Sequence, residues 1–245
     1  MKRKTTDEEA GGVPVYNATN GNNNWASPRD FLTAALAELD LPAIGLDLAA
    51  ECSTALAPLY FAPDHADPRR RNALLPRSSW HIRRDETAPG APSTRYLNPP
   101  YGRLCVQCRD KVWKGKKSGL PKAKWCESRK HTSTTVWEWI ERAAREGTRG
   151  LDPLLLLVPA RTDTDWWHSH VHGLAARVVL IKGRLTFLDA ALKATDCPAP
   201  FPSALIEYVP CPAASAWVTQ YGTMRNDGRM IDKPERRLVV AGEVY

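Results

Sequence analysis

The chain has no apolar run long enough to cross a membrane: the longest, Leu154-Leu155-Leu156-Leu157-Val158, falls far short of the roughly 18 residues a helical span needs. It also has no apolar signal core near its start. Met1–Asn24 is polar, with Lys2, Arg3 and Lys4 followed by acids and then Asn20-Gly21-Asn22-Asn23-Asn24. That composition reads as a disordered leader over residues 1–24. No internal repeat is visible. An intracellular setting is therefore expected, and in that setting the 6 cysteines are thiols unless they bind metal or react.

What is present fits one α/β domain. The 245 residues can bury a full core without disulfide or metal staples. A hydrophobic share of 43% beside 25% charged residues is a globular balance, and the formal charge of +7 with a pI near 9.2 suits a polyanionic partner.

Ser27-Pro28-Arg29-Asp30 opens a helix to about Leu39, with Ser27 as N-cap and Pro28 at the first helical position. Residues 43–48 read as a short buried strand ending in Asp47, and a helix is expected from Cys52 to Tyr60. From Pro63 to Pro92 the chain is rich in Pro and Arg, with only Trp80-His81-Ile82 expected to be structured before a strand at 94–97. Helices are expected at 136–145 and 163–174, and strands at 154–158, 176–181, 185–187 and 203–209. The alternation predicts a mostly parallel sheet with helices on both faces and an antiparallel element near the end.

The most informative segment is Asn98-Pro99-Pro100-Tyr101. Two prolines fix φ and bar both helix and central strand, so this is a rigid loop. It follows a strand, where open α/β sheets bind ligands. The Asn98 side-chain oxygen and the Pro99 carbonyl can hold an exocyclic amine such as adenine N6, while Tyr101 offers a face for the base. The plainer alternative is a Pro-rich turn capping a strand.

In order along residues 25–209, Trp25-Ala26-Ser27-Pro28, Leu46-Asp47-Leu48-Ala49-Ala50, Tyr60-Phe61, Trp80, Asn98 to Gly102, Leu157 to Thr164, Trp166-Trp167-His168, Gly183 to Phe187 and Phe201-Pro202-Ser203-Ala204 resemble the phage-type DNA N6-adenine methyltransferases. These are the Dam-like enzymes of phages and prophages. The Pro159-Ala160-Arg161-Thr162-Asp163-Thr164 block before Trp166-Trp167-His168 is the most specific part. The resemblance implies a Rossmann-like methyltransferase domain over 25–221, with 222–245 as a C-terminal extension. It also implies S-adenosylmethionine as methyl donor, DNA as partner, and a place in the host cytoplasm. By position it implies that Asp47 is the acid of the cofactor motif, joined by Trp25, Pro28, Ala49 and Asn98. Asn98, Pro99, Pro100 and Tyr101 match the catalytic loop. Many methyltransferases carry a Gly-rich turn after the acid; here Ala49-Ala50-Glu51-Cys52 follows.

Residues 103–131 read as a basic insertion with almost no aliphatic core, in which Lys114, Lys116 and Lys117 are candidate DNA contacts. Cys105 and Cys108, with Cys126 and His131, could form a Cys3His zinc site organising that segment, or be incidental thiols. Cys52, Cys197 and Cys211 have no such spacing. Arg161 and Asp163 are candidate substrate ligands, with helix capping as the alternative for Asp163. Trp166 could stack on a base or pack in the core, and His168 is assigned a structural or substrate-contacting role. His168, His170 and His172 are spaced two apart, which does not share one helix face as a metal site would need. Two other functions remain open: amine methylation of RNA or protein, and a non-catalytic nucleic-acid-binding module organised by zinc.

Overall fold

Continuous apolar strands with helical stripes on either side assemble here into a two-faced sheet. The computed structural model describes residues 25–82, 92–101, 104–105, 133–134, 136–189, 191–212 and 215–240. In chain order these form α1 (Arg29–Glu38), β1 (Ile44–Asp47), β2 (Leu59–Tyr60), β3 (Thr94–Leu97), β4 (Leu104–Cys105), β5 (Ser133–Thr134) and α2 (Val136–Arg149). Then follow β6 (Leu154–Pro159), α3 (Asp165–His170), β7 (Arg177–Lys182), β8 (Ser203–Tyr208), β9 (Ser215–Val218), β10 (Gln220–Arg225), β11 (Met230–Asp232) and β12 (Arg237–Val240).

Eight strands make one sheet in the order β11-β10-β7-β8-β6-β3-β1-β2. β2, β1, β3 and β6 pair in parallel, as do β7 and β10, while β8 runs antiparallel between β6 and β7, and β11 is antiparallel to β10. The expected mostly parallel α/β sheet with antiparallel pairing near the end is what forms. β1 has β2 on one side and β3 on the other, so the chain reverses its direction across the sheet there. The crevice beyond the carboxyl ends of β1 and β3 is where such sheets take ligands.

Every residue of β6 is buried, and its side chains alternate between two cores. Leu154, Leu156 and Val158 pack with Trp139, Ile140, Ala143 and Ala144 of α2 and Trp166 and Trp167 of α3. Leu155 and Leu157 pack with Phe31, Leu32, Ala35 and Leu36 of α1. Helices thus cover both faces.

Several expectations need correction. The helix over Cys52–Tyr60 is absent: 52–54 is a turn and 59–60 is β2. The Asp47 carboxylate takes the backbone N–H groups of Ala49 and Leu56, which wraps the chain into a loop, and Pro58 would break a helix interior. Helix α1 begins at Arg29 with Pro28 as N-cap and no side-chain cap; the Ser27 hydroxyl is engaged elsewhere. The helix expected over 163–174 is only Asp165–His170, and Leu185–Phe187 forms no strand. The domain boundary expected after residue 221 falls inside β10, which pairs with β7 along its whole length. β4 and β5 pair with each other; residues 106–132 lie outside the described residues. No helix among the described residues is long and apolar enough to cross a membrane.

Candidate functional site: a cleft at the ends of β1 and β3

Asp47 ends β1 and Asn98 follows β3 directly, and the parallel register places Asp47 opposite Tyr96. Both residues line one cleft, with Trp25, Ser27, Ala49, Tyr96, Pro99, Pro100 and Tyr101. Its far wall comes from Phe61 and Ala62 after β2, from Asn72 and Ala73, and from Trp139 of α2. Arg142 fixes that wall. Its guanidinium donates to the carbonyls of Ala73 (2.7 Å), Leu75 (2.8 Å) and Ser78, and lies 4.9 Å from the Trp80 ring.

The Asn98 amide is held on three sides. Nδ2 donates to the Trp25 carbonyl (3.0 Å) and to Ser27 Oγ (3.1 Å), while Oδ1 accepts from the Tyr101 hydroxyl (2.5 Å). A carbonyl can only accept, so the Trp25 carbonyl fixes which end of the amide is nitrogen. An amide offers two donors and two acceptor lone pairs. Both donors and one lone pair are committed among the described residues, so the remaining capacity of Asn98 is to accept one hydrogen bond.

Ser27 has a second partner, Tyr96 Oη at 2.6 Å. Tyr96 is 1% exposed, and burial holds its phenol well above the ordinary range, hence protonated. The Tyr96 and Ser27 hydroxyls share one hydrogen bond in which either can donate, and Ser27 Oγ also accepts from Asn98. The chain Tyr96–Ser27–Asn98 is the long-range bond set that neither propensity nor motif revealed. Its one sequence trace, Ser before Pro, reads equally well as a helix cap.

Asp47 is different. It is 4% exposed, its oxygens accept from Ala49 N and Leu56 N at 3.2 Å each, and it makes no ion pair among the described residues. Burial pushes its carboxyl up to about 6, against the downward pull of those two N–H groups and of Arg29. A buried carboxylate so placed favours a cation brought beside it.

Aromatic rings close the cleft near Asn98. Trp25 stacks on Phe187 and Phe201 with centroids 5.4 and 5.8 Å apart, and Tyr101 meets Phe201 edge-on at 5.3 Å. The Tyr101 hydroxyl points inward, 3.1 Å from the Leu157 carbonyl as well as on Asn98.

The other expected site residues are dispersed. Pro28 caps α1 and does not line the cleft. Arg161, Asp163 and His168 are exposed around the start of α3, outside the cleft lining. Trp166 corrects the stacking expectation: it is 5% exposed and packed beside Trp167 in the core, because α3 turns that face onto β6. Thr164, not Asp163, is the N-cap of α3. Lys114, Lys116, Lys117, Cys108, Cys126, His131 and the side chain of Cys105 lie outside the described residues. Among the described residues no three His, Cys, Asp or Glu side chains group as metal ligands would.

Compared with protein-family models, curated proteins and solved structures, the chain matches none.

Proposed function

We propose that this cleft catalyses methyl transfer from S-adenosylmethionine to the exocyclic N6 amine of adenine in DNA. The observation that carries the reading is the spent hydrogen-bonding capacity of Asn98: the amide is locked, and what remains is one acceptor lone pair on a rigid Pro-Pro loop. That is what an amine donor needs. The Pro99 carbonyl is the second acceptor, and together they orient the amine nitrogen so that its lone pair is free to react.

The donor fits the residues beside Asn98. Asp47 and Ala49, with Trp25, would hold it, and the buried carboxylate favours a cationic ligand. Bound there, S-adenosylmethionine would supply a methyl group on a sulfonium, whose displacement needs positioning and desolvation more than acid–base machinery. Consistent with this, the cleft presents an amide, prolines and a phenol kept protonated by burial. The aromatic rings of Trp25 and Tyr101, both packed on Phe201, give the same end of the cleft an apolar rim suited to a planar base. A base within duplex DNA must leave the stack to reach it, at a cost of a few kcal/mol. The order of Asp47, Asn98 and the block at 157–164 along the chain, which resembles phage-type adenine methyltransferases, supports DNA over other amine-bearing acceptors.

The experiment is a titration of the protein with S-adenosylmethionine, followed by incubation of the labelled donor with DNA, RNA and protein acceptors. Binding with label entering DNA supports the reading. Binding with label entering only RNA or protein would move the substrate, and no binding would remove the enzyme assignment.

A further inference from the structure

Lys182 and Arg184 flank the Gly183 turn that ends β7, and Arg225 and Arg229 flank the turn between β10 and β11. All four are exposed. The two turns touch. Arg225 is the register partner of Lys182, the Asn226 side chain donates to the Arg184 carbonyl (3.4 Å), and Arg225 N bonds Arg229 O (2.8 Å). Gly183 and Gly228 both have positive φ (+91° and +89°), the left-handed conformation that keeps such turns tight. Gly228 also lies against α1, where a Cβ would meet the Phe31 carbonyl at 2.6 Å. These cations therefore stand on a fixed platform rather than on a floppy loop.

The carboxylate they meet is Asp227, 3.8 Å from Arg225 Nε and accepting from Arg229 N. No ion pair among the described residues involves Lys182, Arg184 or Arg229. The platform is on the ligand edge of the sheet. β7 and β10 run in the same direction as β1, β3 and β6, so their carboxyl ends share an edge with Asp47 and Asn98. From Arg184 the chain returns toward the cleft, reaching Phe187, which stacks on Trp25.

We infer that Lys182, Arg184, Arg225 and Arg229 form a phosphate-binding surface for the DNA duplex flanking the target base. The inference rests on the reading of the cleft as a DNA-modifying site. Strand spacing sets its reach. β7 lies three strands from β3 and β10 lies four, about 14 and 19 Å at about 4.8 Å per strand. With successive phosphates of a strand about 3.4 Å apart along the duplex axis, the surface meets phosphates roughly four to six nucleotides from the methylated base.

The test uses the full chain with Lys182→Gln, Arg184→Gln and Arg229→Gln combined, probed by anisotropy of a labelled 30-base-pair duplex over a range of salt. The slope of log affinity against log salt should fall by about two to three, near one for each phosphate that is no longer neutralised, with S-adenosylmethionine affinity unchanged. Neutral methylphosphonate links four to six nucleotides from the target should weaken wild-type binding and leave the variant indifferent. An unchanged slope, indifference of the wild type to those links, or tighter binding of an RNA hairpin than of the duplex overturns the surface. Should the triple variant melt early, the single Arg184→Gln and Arg229→Gln variants give the same readout, each expected to lower the slope by about one. Duplex binding that behaves as described without any methyl transfer would sink the enzymatic reading and leave the phosphate surface standing.

Discussion

Two buried carboxylates in one sheet are handled in opposite ways. Glu207 in β8 is 1% exposed and is gripped by Arg177, which also donates to the Leu39 carbonyl, and by Arg236 from the segment before β12. Asp47 at the end of β1 is almost as buried, yet among the described residues it is hydrogen-bonded only by two backbone N–H groups. Charge buried for architecture is neutralised within the fold, as it must be when desolvation is this costly. Asp47, with no ion pair among the described residues, has its carboxyl pushed up to about 6 by burial, and a cation brought beside it would relieve that cost. The Glu207 cluster ties α1, β7, β8 and the C-terminal segment together; the Asp47 end lines the cleft to which the proposed function assigns the chemistry.

Changes at the two ends should therefore separate stability from activity. The largest effect is expected at Glu207→Ala, which leaves Arg177 buried and unpaired; urea unfolding should show a loss of about 3–5 kcal/mol, while the folded fraction keeps its donor affinity. A small loss would mean that the cluster is ornamental. At the cleft, Asn98→Ala should keep the fold and the donor affinity, lower the melting temperature for the three hydrogen bonds it deletes, and slow methyl transfer by about 10²-fold or more, the usual cost of deleting a positioning group. Near-normal turnover would detach the Pro-Pro loop from the chemistry.

Asp47 gives a pH signature with two opposite signs. Its folded pKa, about 6, lies above the ordinary 3.8, so the ionised group destabilises the ligand-free fold above about 6, by at most roughly 3 kcal/mol. That cost disappears as pH falls from about 6 toward 3.8, and melting of the free protein should gain from this group over the same window. A cationic ligand favours the ionised carboxylate, so its affinity should be level above about 6 and fall up to tenfold per unit below it. Calorimetry across pH 5 to 8 decides this; donor affinity that rises on acidification would remove Asp47 from the cofactor site. The smallest effect is expected for Tyr96→Phe, which keeps the packing but removes the hydroxyl bonded to Ser27: kcat should drop about three- to tenfold, the worth of one neutral hydrogen bond, with donor affinity unchanged. A shifted donor affinity with kcat intact would show that Tyr96 serves the cleft wall and not Asn98.

Much of the architecture was legible from pattern. The unbroken apolar run at 154–158 read as a strand buried on both faces, 203–209 read as a strand despite Ser203 and Glu207, and α1 and α2 carry helical stripes. The two acceptor-bearing positions, Asp47 and Asn98, were legible because strand ends in parallel sheets are where ligands meet backbone. The misses share a cause. Ser27, Tyr96 and the Arg142 staple act through partners 64 to 71 residues away, and no local period encodes such contacts. The helix expected from Cys52 failed for the same reason: the Asp47 carboxylate, seated by tertiary packing, recruits Leu56 N into a loop. Trp166 looked like a stacking platform because sequence does not show which face α3 turns inward.

On the proposed function, the Asn98 loop presents an amine for methylation beside a donor held at Asp47. The most direct measurement is incubation of the protein with methyl-labelled S-adenosylmethionine and double-stranded DNA, then digestion to nucleosides and mass analysis. The label is predicted in N6-methyladenine; label in another nucleoside, or none in DNA despite donor binding, would contradict the account.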